Sequence, residues 1–308
     1  MHALRTLGCL LFSSIWLAAC GDGETAPVKP DETEQPSERQ DVPEVTEIPE
    51  TCNGYEELCE RRFDEVTFPG THNSMSVAEE KWAAPNQQYS IERQLEDGIR
   101  VMMLDVYFQE NELKLCHSIC LFGERPLDDA LFAIRDFLRS ERGEILTLIL
   151  QDETEADRIV EAFEARGLHE WAYVYEGGEW PTLREMIDSN KRLIVTAERS
   201  GDGDGTPDWY HYAWSLMLDN PYTYETAEDF SCVANRGSTD NPLYLVNHWL
   251  QKPISSPQLA AVANEHETLL GHAQTCEVEQ ERRVNFLAVD HYNVGDLFDV
   301  VRVLNGLE

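Results

Sequence analysis

Positive charge is scarce in this chain. Only 24 Lys and Arg stand against 58 Asp and Glu over 308 residues, a formal net charge of −34. Residues 1–20 carry +1, residues 21–50 carry −8 and residues 51–308 carry −27. A domain this acidic repels nucleic acid and anionic membrane surfaces at long range, so a nucleic-acid partner is excluded. The apolar run from Leu7 to Ala19 is too short to span a bilayer. No internal repeat is found. Residues 21–50 lack aromatic side chains and contain ten acidic residues, two basic ones and five prolines. Such a segment cannot bury enough apolar surface to offset chain entropy, so it is expected to be a disordered, extended tether.

Arg5 precedes the apolar run, and Leu17-Ala18-Ala19-Cys20-Gly21 closes it. This is a basic n-region, a short h-region and a small-residue cleavage site. The ending resembles a bacterial lipoprotein lipobox, which implies cleavage before Cys20 and lipidation of its thiol. The chain then divides into a leader (1–19), a lipidated acidic tether (20–50) and one domain (51–308). It is read as an exported monomer, held through Cys20 at the outer membrane or the cell surface. The 258 residues of the domain suit one large α/β unit better than two small ones.

Of eight cysteines, Cys9 leaves with the leader and Cys20 is the anchor. An even remainder in an exported chain argues for disulfides over catalytic thiols or zinc. Proximity in sequence pairs Cys52 with Cys59, Cys116 with Cys120 and Cys232 with Cys276. The second bridge would rigidify the loop carrying His117.

Strand-like and helix-like segments alternate along the domain. Strands are expected at 65–68, 99–106, 113–116, 145–150, 193–196, 243–246 and 286–289. Amphipathic helices are expected at 127–140, 155–166, 182–189, 258–270 and 297–304. Apolar strands separated by helices imply parallel pairing with both faces covered, and at this length a distorted (β/α) TIM barrel is the economical architecture.

Two histidines follow such strands, in Phe68-Pro69-Gly70-Thr71-His72-Asn73-Ser74 and in Leu115-Cys116-His117-Ser118. Strand ends are where barrels place their sites, and two imidazoles facing one substrate supply a base and an acid near neutral pH. Closure of a barrel makes the first and last strands neighbours, so Asp290 can accept a hydrogen bond from His72 and fix its tautomer. Asp105 ends the second strand.

At these residues the chain resembles the phosphatidylinositol-specific phospholipase C X-domain family, in its secreted, plant-like single-domain branch. The matching stretches are 69–74, 98–107, 115–118, 145–152, 235–237 and 284–290, in family order. The resemblance implies a distorted TIM barrel that cleaves the phosphodiester between glycerol and an inositol headgroup. It makes His72 the general base, His117 the acid, and Asp290 the group that orients His72, with a cyclic phosphodiester as first product. Calcium-dependent members of the family have Asn at position 73, an acid at 103, Asp at 105 and Glu at 151. Here Asn73 and Asp105 match, but Met103 and Gln151 do not. Calcium is therefore a candidate cofactor on Asn73 and Asp105, with Asp152 or Glu153 compensating. Without a metal, Arg236 or Arg100 would bind the substrate phosphate.

The loop Gly201 to Asp208 resembles a thrombospondin-type calcium loop, with Asp202, Asp204 and Asp208 as candidate ligands. The aromatic group Trp209, Tyr210, Tyr212, Trp214, Tyr222 and Tyr224 is read as packing first and as a lipid wedge or sugar floor second. His211, His248, His266, His272 and His291 have no assignable partner. A glycerophosphodiester phosphodiesterase would also use two histidines, but it expects an acid where Met103 stands. A non-catalytic binder of a sugar phosphate or lipid headgroup is the remaining rival, and it has no need of a base, an acid and an orienting carboxylate together.

Overall fold

The computed structural model describes residues 41–203 and 205–307. Eight parallel strands form one curled sheet: β1 (Phe68–Thr71), β2 (Val101–Gln109), β5 (Leu146–Glu153), β6 (Leu193–Ala197), β7 (Tyr210–Tyr212), β8 (Met217–Asp219), β9 (Leu243–His248) and β10 (Phe286–Val289). Their order is β7-β6-β5-β2-β1-β10-β9-β8. The sheet is curled but open: β7 and β8 do not pair, and the four-residue helix α5 (Ala213–Leu216) joins them. β3 (Glu112–Cys116) and β4 (Glu124–Pro126) extend the sheet antiparallel from β2. The strand bearing His117 is thus a hairpin arm and not the third stave of the barrel, because the tight turn after Gln109 sends the chain straight back along β2.

Side-chain alternation sorts the core into two layers. Met102, Leu104 and Val106 of β2, Leu148 and Leu150 of β5, and Leu287 and Val289 of β10 pack outward against the helices. Val101, Met103, Ile149, Ile194, Leu245, Phe286 and Ala288 fill the lumen, whose floor is closed by Phe63 and Trp180. The outer layer is covered by α1 (Ile91–Asp97), α2 (Leu127–Ser140), α3 (Ala156–Ala165), α7 (His266–Gln280) and α8 (Leu297–Leu304); α4 (Leu183–Asp188) and α6 (Pro257–Ala263) complete the helices. Each apolar face so buried contributes at roughly 25 cal/mol per Å² removed from water.

Several expected boundaries moved. The first strand lies at 68–71, not 65–68, because Phe63–Glu65 forms a 3-10 turn closed by reciprocal Arg62 and Glu65 bonds. The run expected at 258–270 splits into α6 and α7 at Asn264, whose side chain donates to the Asp290 carbonyl at 2.9 Å and the Val294 carbonyl at 3.0 Å. Residues 41–50, expected as the end of a free tether, lie against the domain instead. Val45 N–H donates to Arg139 O at 2.8 Å, the Arg139 side chain donates to Val42 O at 2.7 Å, and Asp41 pairs with Arg135. One acidic side chain and two backbone groups of a segment that cannot build a core thus find the arginines of α2. All three expected disulfides are present: Cys52–Cys59, Cys116–Cys120 and Cys232–Cys276.

Candidate active site

The alternation that fills the lumen with apolar side chains continues to the C-terminal strand ends, where it turns polar. His72, Asp105, Gln151, Glu198, Asp219 and Asp290 follow the inward positions of their strands. Register carries them round the rim: Asp105 pairs with Gln151, and Leu150 with Ala197, which sets Gln151 beside Glu198. Thr71 pairs with Val289, which sets His72 beside Asp290. A pocket of about 390 Å³ opens here, lined by His72, Asp105, His117, Glu198, Arg236 and Trp249 among others.

His72 is fixed on every side. Its Nδ1 meets Asp290 Oδ1 at 2.9 Å, and its ring stacks on Trp249 with centroids 3.8 Å apart and planes 4° apart. Its backbone N–H donates to Val289 O at 3.0 Å, and Gln87 donates to its carbonyl at 2.7 Å. Asn86 donates to both Asp290 oxygens, at 3.1 and 3.2 Å. An anionic carboxylate accepting from Nδ1–H leaves the lone pair of Nε2 free.

His117 stands across the pocket, its ring centroid 6.5 Å from that of His72 and nearly perpendicular, at 81°. Its Nδ1 meets Asp105 Oδ2 at 3.2 Å. That hydrogen bond raises its pKa above the ordinary histidine value, against the opposing effect of burial. Its side chain is 43% exposed, against 16% for His72. The Cys116–Cys120 bridge closes its loop, and Ser118 takes a left-handed φ of 61° to turn the chain.

Arg236 enters from the loop after β8. It is bonded to Asp219 Oδ2 through Nε at 2.9 Å and to Glu198 Oε2 through a terminal nitrogen at 2.9 Å. Trp214 and Tyr222 flank it, with the guanidinium carbon 3.9 and 4.7 Å from their ring centroids. The next residue must be glycine: at Gly237, φ is 81° and a Cβ would fall 2.0 Å from Met217 O. Burial pushes the Glu198 carboxyl up to about 7, helped by Asp105, Asp219 and Asp152 and opposed by Arg236.

The structure brings together His72, His117, Asp290, Asn73, Asp105 and Arg236. Two expected site residues fall elsewhere. Arg100 precedes β2 at the opposite end of the sheet, where Glu144 and the Leu95 and Ile99 carbonyls occupy it. Asp152 sits one residue past the inward position of Gln151 and so points outward, accepting from Arg199 N–H at 2.8 Å and from the Ser200 hydroxyl. A one-residue step on a strand reverses the face, so Asp152 cannot replace a lost ligand in the pocket. In the 201–208 loop, Asp202 is engaged by His211 at 3.4 Å and by the Ser215 hydroxyl, while Asp204 lies outside the described residues. Among the described residues no cluster of three metal-ligating groups forms with Asp202 or Asp208.

His248, on an outward position, bonds His272 at 2.8 Å and the Ala263 carbonyl at 2.8 Å, and burial pushes it down to about 3. Of the aromatic group, Trp209, Tyr210 and Tyr224 are core, whereas Trp214 and Tyr222 hold Arg236. Glu198, Asp219, Trp249, Asn86 and Gln87 were not anticipated. Alternation through Ile194 and Thr196 pointed to Glu198; the loop residues carried no such signal.

Fold and site together define a phosphodiesterase-type hydrolase: two imidazoles, each backed by a carboxylate, across a polar pocket at the strand ends of a curled parallel sheet. The sequence model of the PI-PLC X family (PI-PLC X 1) matches residues 58–305. The chain belongs to that family. A PI-PLC X domain-containing protein of Arthroderma benhamiae is 29% identical over 83% of this chain and 90% of its own length. One from Arabidopsis thaliana is 27% identical over 79% of this chain, and a secreted protein of Arthroderma benhamiae is 28% identical over 83%. The chain spans only 62% and 64% of the lengths of those two. Among solved structures, a point mutant of the phosphatidylinositol-specific phospholipase C from Staphylococcus aureus shares the fold. Its TM-score is 0.55 at 15% identity, covering 81% of this chain and 94% of that one.

Proposed function

We propose that the protein cleaves the glycerol–phosphate bond of an inositol phospholipid or a related phosphodiester, in two steps. In the first, the headgroup hydroxyl next to the phosphate attacks phosphorus in line. His72 Nε2 takes its proton, and Asp290 stabilises the imidazolium that forms. The bond from phosphorus to the glycerol oxygen breaks, and His117 supplies the proton that the leaving alkoxide needs. The products are a diacylglycerol and a cyclic phosphodiester. In the second step water attacks the cyclic ester with the two histidines in exchanged roles. The observation that supports this reading best is the pair of Nδ1–carboxylate bonds, 2.9 Å at His72 and 3.2 Å at His117, which aim both Nε2 atoms away from their carboxylates.

The pocket's donor set does not fit calcium, which takes six to eight oxygen ligands, several of them carboxylate. Met103 and Gln151 replace two acids, Asp152 faces outward, Asp105 is bonded to His117 and Glu198 to Arg236. No step is therefore routed through a metal. Positive charge at the phosphate comes first from protonated His117; Arg236, which lines the pocket in ion pairs with Asp219 and Glu198, is the second candidate.

The leader 1–19 and the lipidated Cys20, which lie outside the described residues, complete the reading: the tether would bring an acidic domain to a surface whose charge it does not favour. Cys20→Ser should release the protein from the membrane fraction, and retention there would remove the anchor. The activity is tested by offering vesicles containing phosphatidylinositol, with EDTA or calcium, and following products by phosphorus NMR. A cyclic phosphate is expected; headgroup phosphate released without it would point to direct hydrolysis instead.

A further inference from the structure

We propose that Asn86 is a positioning residue: its single carboxamide sets the proton direction of the His72–Asp290 pair and, at its other end, the orientation of Asn73. The inference rests on the reading of His72 as the base. The polarity follows from chemistry. Both Asp290 oxygens can only accept, so the Asn86 atom 3.1 and 3.2 Å from them is its NH₂ group. The Asn86 oxygen then faces Asn73, 3.3 Å away, and can only receive the Asn73 NH₂. Asn73 lines the pocket, and among the described residues its side-chain Oδ1 takes no hydrogen bond.

At Asp290 two donors converge. Asn86 Nδ2 and His72 Nδ1 lie 3.5 Å apart because they share Oδ1, while Oδ2 takes its hydrogen bond, among the described residues, from Asn86. Three hydrogen bonds converging on its two oxygens hold the Asp290 carboxylate against Nδ1–H of His72, so in the neutral imidazole the bare nitrogen is Nε2. Asn86 is itself held through its backbone. It is only 6% exposed, its N–H donates to Ser76 O at 3.0 Å, and its carbonyl accepts from His291 N–H at 2.7 Å. The adjoining Gln87 spans the His72 and Val289 carbonyls at 2.7 and 3.0 Å, so one dipeptide holds both strands that carry the pair.

The test uses the resting protein, with ¹⁵N-labelled histidine and no substrate. Wild type should show His72 as one tautomer, with the hydrogen on Nδ1 and a strongly downfield proton. Asn86→Ala should give mixed tautomers and lose that proton signal, with kcat falling roughly 10–100-fold and KM within about twofold. Asn86→Asp, isosteric and able to stand in if the alanine variant does not fold, sets a carboxylate against Asp290 and should cost more. An unchanged His72 signature in either folded variant would overturn the proposal, as would a loss carried by KM alone. Because the NMR readout needs no turnover, it decides the role of Asn86 even if His72→Ala were to leave activity intact and remove the function itself.

Discussion

The two histidines of the pocket are built in opposite ways. His72 belongs to the barrel: its strand lies between β10 and β2, its ring is sandwiched against Trp249, and its carboxylate is held by a buried amide. His117 belongs to a hairpin arm outside the barrel, nearly half exposed, on a loop braced by a four-residue disulfide span. A base must hold one tautomer through each turnover, and packing provides that. An acid must meet a departing group and recover its proton from solvent, and exposure suits it.

If this contrast is real, damage on the barrel side should cost most. Asp290→Asn leaves the shape but forces the wrong tautomer, and turnover should drop on the order of 10³–10⁴-fold, as it does for other carboxylate–imidazole pairs. Steady-state kinetics on phosphatidylinositol vesicles would show this, and a loss under tenfold would deny His72 its special wiring. Asp105→Asn should act differently. The Asp105 hydrogen bond is the largest cause holding the His117 pKa up, so the proton is kept to higher pH than by a free histidine. Activity needing His117 protonated falls as pH rises through that raised value. Asp105→Asn should therefore move the falling limb of the pH–rate profile to lower pH; a limb that stays put would mean another group supplies the proton.

Disulfides sharpen the same comparison. Replacing Cys116 and Cys120 by serine loosens the His117 arm alone, and turnover should fall roughly tenfold through misplacement. A loop this short contributes about 2 kcal/mol in the chain-entropy account, so thermal melting should show a folded domain. Replacing Cys52 and Cys59, remote from the pocket, should leave kcat unchanged; equal effects of the two pairs would erase the distinction. An equally small effect is expected from EDTA, which should leave turnover within about twofold, since the pocket lacks the oxygens calcium needs. Complete inactivation restored by calcium would show that ligands have been misjudged.

How far the sequence showed this depended on whether a feature was periodic. β10 (286–289), α2 (127–140) and α8 (297–304) lie where their patterns placed them, because strict alternation or a three-to-four spacing survives folding unchanged. β1 lies further along than expected because Phe63–Glu65 is taken up by a 3-10 turn, while Gly70 continues the strand where Val101 approaches closely. β7 and β8, three residues each, are too short to carry a period. The break at Asn264 is fixed from two sides: Glu265 caps α7 by accepting from Thr268 N–H at 3.0 Å, and the Asn264 amide is drawn to the carbonyl of a residue 26 positions away. The same division holds in the pocket. His72, His117, Asp105 and Asp290 stand at strand ends and could be located, and extending alternation past Thr196 would have added Glu198. Asn86, Gln87 and Trp249 sit on loops, where only the folded chain shows which strand they reach. Arg100 and Asp152 were misplaced for one reason, the choice of the wrong end or face of a strand that had been correctly recognised.

The division of labour between the two imidazoles is tested most directly by changing the leaving group. An inositol phosphodiester of p-nitrophenol departs without needing a proton, so His117→Ala should regain most of its activity on that substrate while His72→Ala stays inactive on both. Equal loss for the two variants on the activated ester, or rescue of His72→Ala instead, would contradict the assignment.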